Sequence, residues 1–108
     1  MVSNFNLLRN ACGVPLLFFS QFAFAHFPLM QCWYQGEMIE CEAGYSDGST
    51  AVDYQINMFD YDDNLIAKVQ TDNRSIATFT KTTDEFYIVF DSGHESPVEV
   101  DSVEISEK

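Results

Sequence analysis

The sequence predicts an all-β domain: a small antiparallel β-sandwich of seven strands, of the immunoglobulin-like or transthyretin-like class. Apolar and polar residues alternate with a period of two from residue 30 onward, and no stretch keeps a helical period. Clusters of Asp, Asn, Ser and Gly interrupt the alternation at short intervals, as turns do between short strands. Cys32 and Cys41 flank a hairpin signal. Together these observations favour two small sheets packed face to face.

The segment before this domain has the pattern of a secretory signal peptide. Arg9 precedes an apolar run over residues 11–19, and Ala23 and Ala25 stand at the spacing of a signal-peptidase site. The run is shorter than the roughly 20 residues that a membrane span needs. We therefore expect a signal peptide over residues 1–25 and a periplasmic or secreted domain over residues 26–108, without a membrane span after cleavage. An uncleaved N-terminal anchor is the alternative.

The first predicted hairpin is centred on Gln35-Gly36-Glu37-Met38, a two-residue turn with Gly at the position that type II′ prefers. Counting outward from Gln35 and Met38 places Cys32 opposite Cys41 in a non-hydrogen-bonded pair, where Cα atoms approach most closely. This approach suits a disulfide, worth roughly 2–3 kcal/mol for such a short loop. A metal site built on the two cysteines is the alternative.

The remaining strands follow from the same alternation. The third strand alternates Val52, Tyr54, Ile56 and Met58 with polar residues, and the sixth is apolar on both faces, which predicts a central place in its sheet. In the last strand the alternation slips near Asp101, which predicts a bulge. The seven predicted strands cover residues 30–34, 39–45, 52–58, 65–70, 75–80, 85–91 and 98–105.

Charge excludes several classes of function. The chain has 17 acidic and 5 basic residues, for a net charge of −12. Such a surface repels nucleic acid and anionic lipid, whereas it attracts cations and suits a basic protein partner. The chain shows no recognisable Ser-His-Asp constellation and no phosphate-binding glycine loop. We therefore expect neither a nucleic-acid partner nor an enzyme.

Cleavage after Ala25 would make His26 the first residue of the mature chain. An α-amine and an imidazole are nitrogen donors that generally lose a proton readily near neutral pH. The two nitrogens can close a chelate ring on one metal ion. Pro28 has no amide hydrogen, so a run of successive backbone nitrogens is cut short. These donors suit Ni²⁺, Co²⁺, Cu²⁺ and Zn²⁺, with copper binding most tightly.

His94 is predicted to lie at the same end of the sandwich as His26. It falls in the loop between the sixth and seventh strands, and each short antiparallel connection reverses the chain. The loop after an even-numbered strand therefore lies at the end where the first strand begins. Gly93 gives the loop freedom to bring His94 inward. Asp91 or Glu95 would add an oxygen ligand or orient an imidazole.

Three short stretches of the domain resemble a known family. Residues 44–49 are similar to a GYFSDG-like turn, residues 58–65 to a YDxDGxL-like turn and residues 89–95 to a DAGMGH-like end. The histidine-first start is similar to that of exported nickel-uptake proteins. The family comprises small exported proteins, with a carboxypeptidase-regulatory-like β-sandwich, that accompany energy-coupling-factor nickel and cobalt transporters.

The resemblance implies an extracytoplasmic accessory subunit that presents Ni²⁺ or Co²⁺ to a membrane transporter. His26 and His94 carry over as metal ligands, and Asp91 and Glu95 less directly. This chain departs from the family pattern in three ways. Asn64 is expected to replace the turn glycine, one residue is missing before His94, and the cysteine pair is not a family feature.

Two other functions stay open at this point. One is a structural or protein-interaction β-sandwich that holds no metal, and the other is a periplasmic copper-binding protein that uses His26 in the same way. A neighbouring transporter gene would favour the accessory subunit, and failure to bind any divalent metal would favour the interaction module.

Overall fold

Two four-stranded sheets face each other in the computed structural model, which describes residues 26–108. The predicted signal peptide lies outside the described residues. The first sheet has the order β5-β2-β1-β8 and the second the order β4-β3-β6-β7. The strands are β1 (Pro28–Gln35), β2 (Met38–Tyr45), β3 (Gln55–Asp60), β4 (Leu65–Gln70), β5 (Ile76–Thr80), β6 (Phe86–Phe90), β7 (Val98–Asp101) and β8 (Ser106–Glu107).

The predicted β-sandwich is confirmed. Its core lies between the sheets, because the alternation of each strand turns one set of apolar side chains inward. The strand β6 lies between β3 and β7, as its two apolar faces indicate. Within residues 26–108 the structure contains no helix long and apolar enough to span a membrane. The largest fully buried side chains are Phe79, Phe86, Phe90, Ile39, Ile56, Met58, Ile88 and Cys41.

The first hairpin has the predicted register. Gln35 pairs with Met38 and Cys32 pairs with Cys41. Gly36 has a φ of 62°, which fits the predicted turn. The two cysteines form a disulfide with a Cα–Cα distance of 4.0 Å, as expected for the closely spaced kind of pair. A disulfide is typical of an oxidising, extracytoplasmic compartment.

Residues 26–108 form eight strands where seven were predicted. The alternation slips at Asp101 because the chain there leaves one sheet for the other. A short 3₁₀ turn over Ser102–Glu104 begins with a capping box, in which Asp101 accepts from the Val103 amide and Glu104 accepts from the Asp101 amide. The strand β8 then pairs in parallel with Trp33 and Tyr34 of β1. The predicted bulge is therefore a change of sheet.

The third strand begins at Gln55, later than predicted. Asp53 has a φ of 63° and Val52 is exposed, because a turn brings the chain across from β2. Two buried hydroxyls hold this crossing. Thr71 Oγ1 donates to the Ala51 carbonyl at 2.6 Å, and Ser75 Oγ accepts from the Ala51 amide at 3.0 Å. Both backbone groups of Ala51 are thus paired inside the protein.

The turn between β3 and β4 differs from expectation at one position. Its left-handed residue is Asp63, with a φ of 65°, and not Asn64. Asp60 Oδ1 accepts from the amides of Asp62 and Asn64, both at 2.9 Å. These bonds fix the turn and lower the pKa of Asp60. The left-handed position of this turn, which was expected at Asn64, is therefore Asp63.

Candidate functional site

His26 is held at one end of the first sheet, just before β1 begins. The Phe27 amide donates to Ser46 Oγ at 3.0 Å, and the Ser46 amide donates to the Phe27 carbonyl at 2.9 Å. These bonds tie the residue after His26 to the turn that follows β2. The His26 ring lies against the Tyr45 ring with 4.5 Å between centroids. The position of His26 is therefore set by β2 as well as by β1.

Asp47 is the acidic neighbour of His26. Its Oδ2 lies 3.8 Å from His26 Nε2, and both side chains are about half exposed. Asp47 Oδ1 accepts from Ser49 Oγ at 2.7 Å and from the Ser49 amide at 3.0 Å. The bonds from Ser49, and to a smaller extent the His26 imidazole, lower the pKa of Asp47. Asp47 is thus a carboxylate at neutral pH and favours a positive charge near His26. Asp47 was not among the site residues predicted from the sequence.

The second histidine approaches this end from the other sheet. His94 lies in the loop between β6 and β7 and is exposed. Gly93 has a φ of +92°, a conformation that glycine adopts at little cost. Its amide donates to Asp91 Oδ1 at 2.9 Å. This bond holds the start of the loop and occupies one oxygen of Asp91.

His26 and His94 line one cavity of about 400 Å³, together with Tyr45, Ser92 and Glu95. We call this space the histidine cavity. The predicted meeting of His26 and His94 at one end of the sandwich is therefore seen in the fold, with Glu95 beside them. Asp91 does not line the cavity.

Tyr45 and Ser92, which both line the histidine cavity, carry buried hydroxyls that sequence reasoning missed. Tyr45 Oη and Ser92 Oγ are buried and have no hydrogen-bond partner among residues 26–108. Burial raises the pKa of Tyr45 to about 12, and the neighbouring Tyr54 adds to this rise. Tyr45 is therefore a neutral hydroxyl at neutral pH. The alternation along β2 predicts that the Tyr45 side chain faces the core, but it does not predict that the hydroxyl lacks a hydrogen-bond partner.

The described side chains do not by themselves form a complete metal site. Among residues 26–108, no group of three or more His, Cys, Asp or Glu side chains is arranged to hold a metal ion. Two imidazoles and one carboxylate line the histidine cavity. The α-amine of a mature N-terminus at His26 would add a third nitrogen. The donors thus suit a borderline transition metal better than calcium or magnesium, which prefer oxygen ligands.

Comparison with known proteins adds no relative from which a role could be transferred. No protein-family model, no curated protein and no solved structure matches this chain. The resemblance to accessory proteins of nickel and cobalt transporters therefore stays a prediction, carried by the short turn motifs and by His26.

Proposed function

We propose that the protein is an extracytoplasmic metal-binding accessory subunit that presents Ni²⁺ or Co²⁺ to a membrane uptake transporter in the periplasm or at the cell exterior. The observation that supports this most directly is the histidine cavity, where His26 and His94 come together from different sheets. In this proposal the metal ion is cargo, held by the α-amine and imidazole of His26 and by the imidazole of His94.

The charges around the cavity favour a cation. The chain has a net charge of −12, and Asp47 and Glu95 add carboxylates at the site itself. Clefts of one sign raise the local concentration of the opposite ion and its rate of association. The open rim also suits a carrier, because an exposed imidazole can pass its metal to a partner without unfolding the domain. The disulfide agrees with a compartment outside the cytoplasm.

The test compares two forms of the exported protein in Ni²⁺ calorimetry at neutral pH. One form begins at His26, and the other carries one extra glycine before it. The extra residue keeps the imidazole but moves the amine away, so we expect at least a tenfold loss of affinity, about 1.4 kcal/mol. Equal affinities of the two forms would refute the N-terminal chelate.

The role of His94 needs a variant cycle. We expect His26→Ala and His94→Ala each to weaken Ni²⁺ binding, and the double variant to lose less than the sum because both residues serve one ion. The Ni²⁺ affinity of Glu95→Gln, which removes a carboxylate of the histidine cavity, is compared with that of Glu99→Gln, which removes a carboxylate on β7 outside the cavity. A His94→Ala variant that binds like the parent would remove His94 from the site.

Copper is the rival cargo, because the same nitrogen donors bind Cu²⁺ most tightly. Affinity alone therefore does not decide between the two metals, and metal content after export in a medium containing nickel, cobalt and copper does. A protein that recovers only copper would point to a copper-binding protein. A protein that binds none of the three would point to a structural or interaction module.

A further inference from the structure

The outer face of the second sheet carries a row of apolar side chains with two aromatic rings at its centre. The register places Leu65 of β4 beside Phe59 of β3, and Phe59 beside Tyr87 of β6. The neighbours of Phe59 and Tyr87 that face the core are buried, so alternation turns these two rings outward. The rings stack with 5.3 Å between centroids, and Leu65 is 49% exposed.

Two carboxylates fix the tyrosine rings on this face. The Tyr87 hydroxyl donates to Asp63 Oδ1 and the Tyr61 hydroxyl donates to Asp101 Oδ1, both at 2.6 Å. Asp101 lies opposite Tyr87 in the register of β6 and β7, so Tyr61 belongs to the same face. Tyr61 is 47% exposed. A ligand thus meets rings that are already ordered, which lowers the entropic cost of binding.

We call the surface formed by Leu65, Phe59, Tyr61 and Tyr87 the aromatic face. Further carboxylates surround it. The hydrogen bond to Asp63 raises the pKa of Tyr87, and the charges of Glu99 and Asp60 add to this rise. The hydrogen bond to Asp101 raises the pKa of Tyr61, and the charge of Glu85 adds to it. The aromatic face therefore has acidic side chains near both tyrosines.

The first sheet pairs its outer aromatic rings with cations, whereas the second sheet does not. Lys81 Nζ lies 4.7 Å from the centroid of the Tyr34 ring, and Lys108 Nζ lies 4.4 Å from that of the Trp33 ring. Among residues 26–108, no Lys or Arg side chain lies over a ring of the aromatic face, although Lys68 is on β4. The aromatic face thus combines rings and carboxylates without a cation from the described part of the chain.

We infer that the aromatic face docks a basic, arginine-rich segment of a partner protein. A guanidinium group stacks on an aromatic ring and binds a carboxylate through two parallel hydrogen bonds, which a lysine ammonium does not do. From β4 to β7 the face crosses three strand spacings, about 14 Å, which is the length of about four extended residues. A short extended segment is therefore long enough to reach both tyrosines and their carboxylates.

Charge favours this occupant over the others that an apolar face could take. A second copy of the chain, a nucleic acid and an anionic lipid surface are all repelled by a net charge of −12. A basic segment is attracted by the same charge. The inference goes beyond the proposed function and does not depend on metal binding.

The experiment compares two labelled peptides, one of six arginines and one of six lysines. Their binding to the exported protein is measured by fluorescence anisotropy at neutral pH and about 0.15 M salt, with EDTA to remove metal ions. We expect the arginine peptide to bind at least threefold more tightly than the lysine peptide, because only the guanidinium group stacks and bridges.

A pair of charge variants separates docking on this face from attraction to the whole chain. Asp63→Asn/Glu99→Gln removes two carboxylates of the aromatic face, and Asn tolerates the left-handed backbone at position 63. Glu37→Gln/Glu42→Gln removes two exposed carboxylates associated with the first hairpin and gives the same net charge. We expect the first variant to weaken binding of the arginine peptide at least fivefold and the second to bind within twofold of the parent.

A pair of ring variants tests the aromatic contribution. Phe59→Leu/Tyr87→Leu keeps an apolar surface but removes both rings, so binding of the arginine peptide should weaken at least fivefold. Tyr34→Leu is the control, because Lys81 already covers the Tyr34 ring, and it should bind within twofold of the parent. Circular dichroism checks that each variant is folded, and the charge variants decide the question if the ring variant is not.

Several results would overturn the inference. They are failure of the parent to bind the arginine peptide, equal affinity for the two peptides, equal losses in the two charge variants, or full binding by a folded ring variant. A parent that dimerises in analytical ultracentrifugation, with a dimer that the ring variant loses, would assign the face to a second copy and overturn it too. None of these results involves nickel, so each leaves the accessory-subunit proposal in place.

Discussion

Reduction of the Cys32–Cys41 disulfide is expected to lower the stability of the sandwich by a calculable amount. The bond joins two residues of one hairpin, nine positions apart in the chain, and both cysteines are buried in the core. The Gly36 turn and the backbone pairing of β1 with β2 do not depend on the bond. Reduction should therefore leave the fold in place and act through the unfolded chain, which gains freedom.

The magnitude follows from the size of the closed loop. For a loop of about ten residues, the chain-entropy relation gives a loss of about 2.7 kcal/mol at 25 °C. A domain of this size changes its melting temperature by about 4–8 °C per kcal/mol, so the reduced protein should melt about 10–20 °C lower. We expect the reduced protein to stay folded at room temperature, because this loss is below the roughly 5–15 kcal/mol by which native domains are stable.

Differential scanning calorimetry with and without a phosphine reductant measures this difference. Intact mass should show the gain of two hydrogens, and a retained β-sheet circular dichroism spectrum should show that the reduced protein is folded before heating. Melting temperatures that differ by less than about 3 °C would contradict the entropic argument. Two thiols that react with an alkylating agent in the unfolded, non-reduced protein would contradict the disulfide itself.

Three further changes test other parts of the structure. Tyr45→Phe removes an unpaired buried hydroxyl, so metal-free protein should gain about 1 kcal/mol in urea unfolding; a loss would show that the hydroxyl has a partner. The Asp63 carboxylate accepts a hydrogen bond from the Tyr87 hydroxyl and raises the pKa of this tyrosine from 10.0 to about 12. The bond therefore stabilises the folded protein fully below pH 10, and this stabilisation is lost as the pH rises to about 12. Tyr87→Phe should make this fall of stability shallower in alkaline urea titrations, and an unchanged slope would refute it. Asp101→Ala removes the cap of the 3₁₀ turn that precedes β8. The Ser106 and Glu107 amides should therefore exchange with deuterium faster than in Asp101→Asn, whose side chain can still accept the capping hydrogen bond. Equal exchange rates in the two variants would refute the role of the cap.

Local signals account for the part of the fold that the sequence predicted well. The register of β1 and β2 follows from a two-residue turn and a strict alternation, both within a few residues of each other. The meeting of His26 and His94 follows from counting reversals, which tolerates errors in strand length. The extra strand did not disturb the count, because β8 comes after His94 in the chain.

Features that depend on packing between distant segments were missed. The two-residue strand β8 is too short to show a period, and only the capping box at Asp101 and Glu104 marked the end of β7. The burial of the Tyr45 and Ser92 hydroxyls depends on packing between segments that are distant in the chain, and no local pattern encodes it. Asp91 looked equivalent to Glu95 in the sequence, but the Gly93 amide engages it.

The short strand β8 has a consequence for association between copies of the chain. Only two register pairs, Trp33–Ser106 and Tyr34–Glu107, join it to β1. Segments held by so few bonds open far more often than the whole domain unfolds. Opening of β8 frees the edge of β1 and leaves a strand able to pair with the same edge on another molecule. The sandwich thus contains the parts for strand exchange, in which β8 of one molecule completes the first sheet of its neighbour.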